Sequence, residues 1–212
     1  MFWDASLLIV IHEASGEECF TTPLRTSVMI IKTDLTLEEF WALPEGETAY
    51  ELVDGRAIAK VSPKYFHSFL QGALYTLIKA WCKGRGRVGT EWAVSLKRNG
   101  RDWVPTPDVT YVSYNRLPRS WKQNVACPVP CELAIEIISP GQIMKEFEDK
   151  ASYYFAAGVL RVWVVDPEVV SITVFFPDGK RFAYTGNTKI TDTLLPGLEL
   201  SPQLIFEEAE LL

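Results

Sequence analysis

Glu136 is the residue that packing alone explains least. It lies inside residues 131–138, a nearly continuous apolar run of the kind that forms a central strand buried on both faces. Strand alternation puts Ile135 and Ile137 on one face and Ala134, Glu136 and Ile138 on the other. A carboxylate there is costly unless it is paired, protonated or bound to a cation. Two readings follow: an ion pair with an arginine from elsewhere, or a metal ligand. Asp108, directly after Pro107, opens a second strand. Pro-Asp is common at the start of strands and turns, so Asp108 gains its weight from company. Two carboxylates 28 positions apart on two strands can converge on one point, and oxygen ligands of that kind suit Mg²⁺ or Mn²⁺. Lys150 follows Glu136 by 14 residues, on the next helix. Either it pairs with Glu146 at i, i+4, an arrangement worth only ~0.3 kcal/mol, or its ammonium reaches back over the strand end to a water on the metal.

The elements that must carry these groups are readable from spacing. Thr36-x-x-Glu39 is a capping box, and Leu37, Phe40 and Trp41 give the short helix behind it an apolar stripe. Strands at 50–53 and 56–61 flank Asp54-Gly55, a strong hairpin signal. Pro63 is expected just inside the next helix, which keeps helical spacing through Phe66, Leu70, Leu74 and Ile78 to about residue 83. Strands are predicted at 87–97 and 108–112, with Asn99-Gly100 as the turn between them. A polar loop covers 113–130, and a helix over 143–157 ends at Gly158. Strands at 161–166, 170–176 and 180–185 follow, the last two joined by Pro177-Asp178-Gly179, and 202–206 forms a last helical turn. The fold class is therefore α/β, with one mixed sheet flanked by helices as the simplest packing. Residues 1–32 lack this patterning. They read as an extension upstream of a natural start at Met29, with weak order expected, or as an added strand at 7–11.

Composition excludes several classes. The chain has 212 residues, 48% hydrophobic and 23% charged, which argues against disorder, collagen and coiled coil. No apolar run approaches the ~20 residues of a membrane span, and no basic segment precedes residues 7–11 as a secretory signal requires, so a cytoplasmic protein is expected. The net charge of −6 excludes a wholly basic DNA-coating surface. It is unevenly spread: residues 79–122 hold ten Lys or Arg against Glu91, Asp102 and Asp108, a local +7. Cys19, Cys82, Cys127 and Cys131 are irregularly spaced and expected as free thiols; Cys127-x3-Cys131 is at best half a zinc site.

Taken together, several segments resemble a putative restriction endonuclease family abundant in cyanobacteria, formerly a domain of unknown function, within the PD-(D/E)XK nuclease superfamily. They are Tyr50-Glu51-Leu52-Val53-Asp54-Gly55, Pro107-Asp108, residues 132–140, Asp149-Lys150 with Tyr153-Tyr154, residues 162–167 and Leu195-Pro196-Gly197-Leu198. The match spans roughly 34–206. The resemblance implies a restriction-endonuclease-like core with a central mixed β-sheet, a single domain over 33–212, and Asp108 and Glu136 as the acidic metal ligands. The superfamily lysine two residues after the second acid is replaced here by Ile138, and Lys150 looks like its substitute. Glu51 matches an acidic position near the site, and His67 a helix histidine behind the ligands or simply packed.

What the resemblance implies functionally is a Mg²⁺-dependent endonuclease, with Mn²⁺ as substitute, in which Asp108, Glu136 and the Ile137 carbonyl hold the ion and Lys150 assists the attacking water. DNA is the implied partner, contacted through Lys97, Arg98, Arg101, Arg116, Arg119 and Lys122, although that stretch also reads as an ordinary solvated face. The rival is an inactive nuclease fold kept as a binding module; a metal-dependent enzyme acting on RNA or a small phosphodiester is a weaker third reading. Strand 170–176 is a candidate homodimer edge or part of the core.

Overall fold

The structure, a computed structural model, describes residues 8–10, 28–30, 34–44, 49–60 and 62–212. Leu8–Val10 (β1) and Val28–Ile30 (β2) pair antiparallel in a ribbon of their own, apart from the central sheet. The expectation of weak order over 1–32 falls for the most part outside the described residues, as does Cys19. Leu37–Trp41 (α1) starts at the expected capping box, where the Thr36 hydroxyl accepts the Glu39 N–H and the Glu39 carboxylate accepts the Thr36 N–H. Tyr50–Val53 (β3) and Arg56–Ala59 (β4) turn at Asp54-Gly55, both at positive φ. Tyr65–Trp81 (α2), Gly86–Thr90 (β5), Leu96–Arg98 (β6), Arg101–Trp103 (β7), Val109–Ser113 (β8) and Leu133–Ile137 (β9) follow. Met144–Ala156 (α3), Arg161–Asp166 (β10), Ser171–Phe175 (β11), Arg181–Thr185 (β12) and Pro202–Glu208 (α4) complete the chain.

The central sheet runs β12-β11-β10-β9-β8-β5. Only β9 and β10 are parallel, joined by the α3 crossover; every other neighbouring pair is antiparallel. Strand β9 is central, and all five of its residues are buried. Its alternation is the one expected. Leu133, Ile135 and Ile137 join Leu70, Leu74 and Ile78 of α2 and Ile205 and Phe206 of α4 in one core. Ala134 joins Phe147, Ala151 and Tyr154 of α3 in the other. Glu136 is thereby committed to the α3 face.

Four local expectations need correction. Pro63 lies ahead of α2, whose N-cap is Lys64. The single strand expected over 87–97 is two, because Glu91 adopts φ +48 and turns the chain between β5 and β6. Asn99-Gly100 closes a β6–β7 hairpin, and β7 was not foreseen. Strand β11 lies between β10 and β12, so its apolar residues are core and cannot form a dimer edge. Among the described residues no helix is long and apolar enough to cross a membrane.

Candidate active site

The site begins where two strands part. Strands β8 and β9 pair from Tyr111 opposite Leu133 to Val109 opposite Ile135, and there the ladder stops. Strand β9 continues to Ile137, whose N–H has no strand partner on that side. The Asp108 carboxylate takes its place: Oδ2 accepts the Ile137 N–H at 2.7 Å. In an extended residue the N–H and C=O face the same neighbour, so the Ile137 carbonyl opens on the Asp108 side as well.

Glu136 points the other way, into α3. Tyr154 donates its hydroxyl to Glu136 Oε1 at 2.7 Å, and Lys150 Nζ stands 3.1 and 3.2 Å from the two carboxylate oxygens. Lys150 and Tyr154 are four residues apart and share a helix face. The same ammonium donates to Glu51 Oε1 at 3.2 Å, an oxygen that also accepts the Thr106 N–H. Of the two readings of Lys150, the geometry takes the one that reaches back to Glu136; the i, i+4 ion pair on this helix is Lys145 with Asp149. No arginine pairs with Glu136 among the described residues.

Asp108 is held by three further groups. His67 Nε2 lies 3.1 Å from Oδ2, Lys60 Nζ lies 3.4 Å from Oδ1, and Gln71 donates to the Asp108 carbonyl at 2.9 Å. His67 therefore contacts Asp108 and lines the same cavity. Lys60, Gln71 and Tyr154 were missed. Tyr154 had a signal, since it follows Lys150 by one helical turn. Lys60 had only its position on the hairpin that carries Glu51.

Glu51, Lys60, His67, Asp108, Glu136 and Lys150 line one cavity of about 190 Å³. Five carboxylates face it (Glu51, Glu91, Asp108, Glu136 and Glu146) against Lys60 and Lys150, beside His67. Burial and the different partners of each carboxylate separate the two central acids. Burial pushes Glu136 up to about 7; Lys150 opposes this, and the charges of Asp108 and Glu51 add to it. Burial would raise Asp108 too, but the His67 contact, Lys60 and the Ile137 N–H hold it below the usual carboxylate range. The charge of Glu136 holds Lys150 above its ordinary range despite burial.

A pH dependence of stability follows. A carboxyl raised on folding favours the folded state while protonated, so its contribution is complete below the unfolded pKa near 4.5 and is lost as pH rises through about 7. At 1.36 kcal/mol per unit the contribution of Glu136 is at most about 3 kcal/mol. Metal-free protein is expected to lose melting temperature between pH 5 and 8, and Glu136→Gln to flatten that slope. Identical profiles for the two proteins in thermal melts with chelator present would refute the assignment.

The donor set fits a hard divalent cation. Asp108, Glu136 and the Ile137 carbonyl offer oxygen alone, and a cation would offset the burial, and with it the charges of Asp108 and Glu51, that push Glu136 toward its neutral form. Among the described residues no group of three or more His, Cys, Asp and Glu side chains is placed to hold a metal. The Cys127–Cys131 half-site gains no partners: both thiols are buried and free, and burial raises both.

The six basic residues fall into two groups. Lys97, Arg98 and Arg101 sit on the β6–β7 hairpin beside the β3–β4 turn, where Arg101 meets Asp34 at 2.9 Å and Lys97 meets Asp102 at 2.7 Å. Arg56 and Arg101 line a cavity that shares Ile58 with the acidic pocket. Arg98 is more constrained, lying 3.6 Å over the Tyr153 ring and 3.5 Å from Asp54. Arg116, Arg119 and Lys122 follow the far end of β8, about 17 Å from Asp108 at ~3.4 Å per residue. Arg116 donates to the carbonyls of Pro130, Cys131 and Gly158 and pairs with Glu132, so it holds the loop to the start of β9. The structure does not bring these three to the pocket.

The architecture is a mixed α/β sheet flanked by helices, with Asp108 and Glu136 lining one cavity where β8 and β9 part. The chain belongs to the Uma2 family, described as "Putative restriction endonuclease", which matches residues 37–210. A crystal structure from Anabaena variabilis ATCC 29413, described as a putative nuclease belonging to DUF820, matches with a TM-score of 0.72 at 24% identity, over 82% of this chain and 99% of that one. No curated protein matches the chain.

Proposed function

We propose that the protein is a Mg²⁺-dependent endodeoxyribonuclease in which Asp108, Glu136 and the Ile137 carbonyl hold the ion, with Mn²⁺ able to replace it. The observation that carries this reading is that Asp108 and Glu136 line one cavity where β8 and β9 part, with Lys150 on Glu136. A bound divalent ion supplies polarisation of a phosphoryl oxygen and acidification of the attacking water. The protein's own groups do the rest. Tyr154 fixes the Glu136 carboxylate, and His67 and the Ile137 N–H fix that of Asp108. Lys150, shared between Glu51 and Glu136, orients the water and offsets charge developing on the phosphorus oxygens. The resemblance to the PD-(D/E)XK superfamily implies a 5′-phosphate and a 3′-hydroxyl as products.

The test is conversion of supercoiled plasmid to nicked and linear forms with millimolar Mg²⁺ or Mn²⁺. Cleavage that stops with chelator supports the reading. Tight metal binding without cleavage of DNA overturns it in favour of another phosphodiester substrate or a binding module.

Phosphate contacts are assigned to the neighbouring cavity that shares Ile58 with the pocket, to Arg56 and Arg101. The double variant Arg56→Ala/Arg101→Ala is expected to weaken duplex binding equally for all sequences. The slope of log K against log salt should flatten by about 2, near one unit per lost contact. An unchanged slope would return these residues to the solvated surface.

A further inference from the structure

Lys60 reaches the pocket from the end of β4, whereas Lys150 reaches it from α3. The Lys60 ammonium donates one good hydrogen bond, to the Thr106 carbonyl at 2.9 Å. Its next contact, Asp108 Oδ1, is long at 3.4 Å, and Glu91 lies 4.0 Å away, beyond hydrogen-bond reach. Thr106 is itself fixed, because its N–H donates to Glu51. An ammonium carries three donors. Lys60 is thus tethered by backbone, leans weakly on Asp108, and keeps hydrogen-bonding capacity toward the cavity it lines.

Charge defines what that capacity suits. Five carboxylates face the cavity against two ammonium groups, which leaves three negative charges in excess. A divalent ion on Asp108 and Glu136 would cut this excess to one, so an anionic phosphodiester needs every cation the cavity offers. Without Lys60 the loaded pocket would keep two negative charges in excess and repel the phosphate more strongly.

From this balance we propose that Lys60 is a second phosphate-binding cation of the pocket, which neutralises Asp108 in the metal-free protein and turns to a non-bridging phosphate oxygen when a divalent ion takes the Asp108 carboxylate. This rests on the metal-dependent nuclease reading of the same pocket. It has a signature that a merely structural lysine lacks, because its two effects have opposite signs. Removing the ammonium frees Asp108 for the metal and removes a contact from the phosphate.

Lys60→Met preserves most of the side-chain stem. By calorimetry with Mn²⁺ alone, its metal affinity is expected to rise, roughly tenfold for a unit charge removed beside a ligand. By fluorescence anisotropy of a short DNA duplex in Ca²⁺, log K against log salt is expected to flatten by about 0.9, the value of one phosphate contact. Lys60→Arg should keep the wild-type slope. If Lys60→Met does not fold, Lys60→Gln removes the same charge and is read in the same way. Lower or unchanged Mn²⁺ affinity, or an unchanged salt slope, overturns the assignment of Lys60 while leaving the metal site standing. Wild-type protein that binds no Mn²⁺ instead overturns the metal reading beneath it.

Discussion

Asp108→Asn and Glu136→Gln are each expected to abolish Mn²⁺ binding and to reduce plasmid cleavage by a factor of at least about 10³, beyond the loss of a single stabilising donor. The argument is geometric. Asp108, Glu136 and the Ile137 carbonyl are the oxygens proposed for the ion, and Glu51, a further carboxylate of the cavity, is already engaged by Lys150 and the Thr106 N–H. The variants are expected to separate in stability. Asp108 is held below the usual carboxylate range, so the fold favours its ionised form, and Asp108→Asn should lower the melting temperature of metal-free protein near neutral pH. Glu136 is pushed up to about 7, so Glu136→Gln should raise that temperature at pH 8 and leave it nearly unchanged below pH 5. Unchanged Mn²⁺ affinity in both variants would remove the metal pair. A fall in melting temperature for Glu136→Gln at pH 8 would make the Glu136–Lys150 contact a stabilising ion pair instead.

How much of this was legible follows from the range of the interactions. Strand β9 and helices α2 and α3 could be read directly, because burial imposes a period on their sequences. The alternation of β9 placed Glu136 on the face opposite Ile135 and Ile137, and the packing of α3 explains why that acid finds Lys150 and Tyr154. The break between β5 and β6 was not legible. It depends on Glu91 adopting a left-handed conformation that residue type alone does not announce. Lys60 was hidden for a different reason. A lysine at a strand end reads as solvated, and its partners Thr106 and Asp108 lie 46 and 48 positions away. The basic stretch misled through the same gap between sequence and space. Arg101 and Arg116 are 15 residues apart, yet β8 carries the chain from the acidic end of the sheet to the other, and Arg116 is spent on backbone carbonyls there. Glu51 and His67 came from the resemblance, and no local pattern marked either of them.

Lys150 stands where the resemblance to a nuclease superfamily looks for the lysine that position 138 lacks. Ile138 cannot supply an ammonium, and α3 supplies one that reaches Glu136 at 3.1 Å. Lys150→Ala is expected to slow cleavage by ~10²–10³-fold at saturating metal, the usual scale for losing one group that stabilises developing charge. Metal binding should survive, with a shifted pH dependence. Lys150 opposes the rise of Glu136, so its removal drives that carboxyl further toward the neutral form. Mn²⁺ affinity should therefore fall at pH 7 and recover toward the wild-type value as pH is raised. The fold is expected to weaken as well, since removing one partner of a buried pair leaves Glu136 and Glu51 uncompensated. Rates must then be compared well below the melting temperature. Lys150→Arg should restore stability more than rate, because a planar guanidinium can satisfy the carboxylates without presenting a compact charge to the water. Wild-type cleavage by Lys150→Ala at saturating metal would show that the lysine only neutralises Glu136. Loss of metal binding at every pH would show that it builds the ligand site. Only a slowed rate with pH-recoverable metal affinity assigns it to the reacting water.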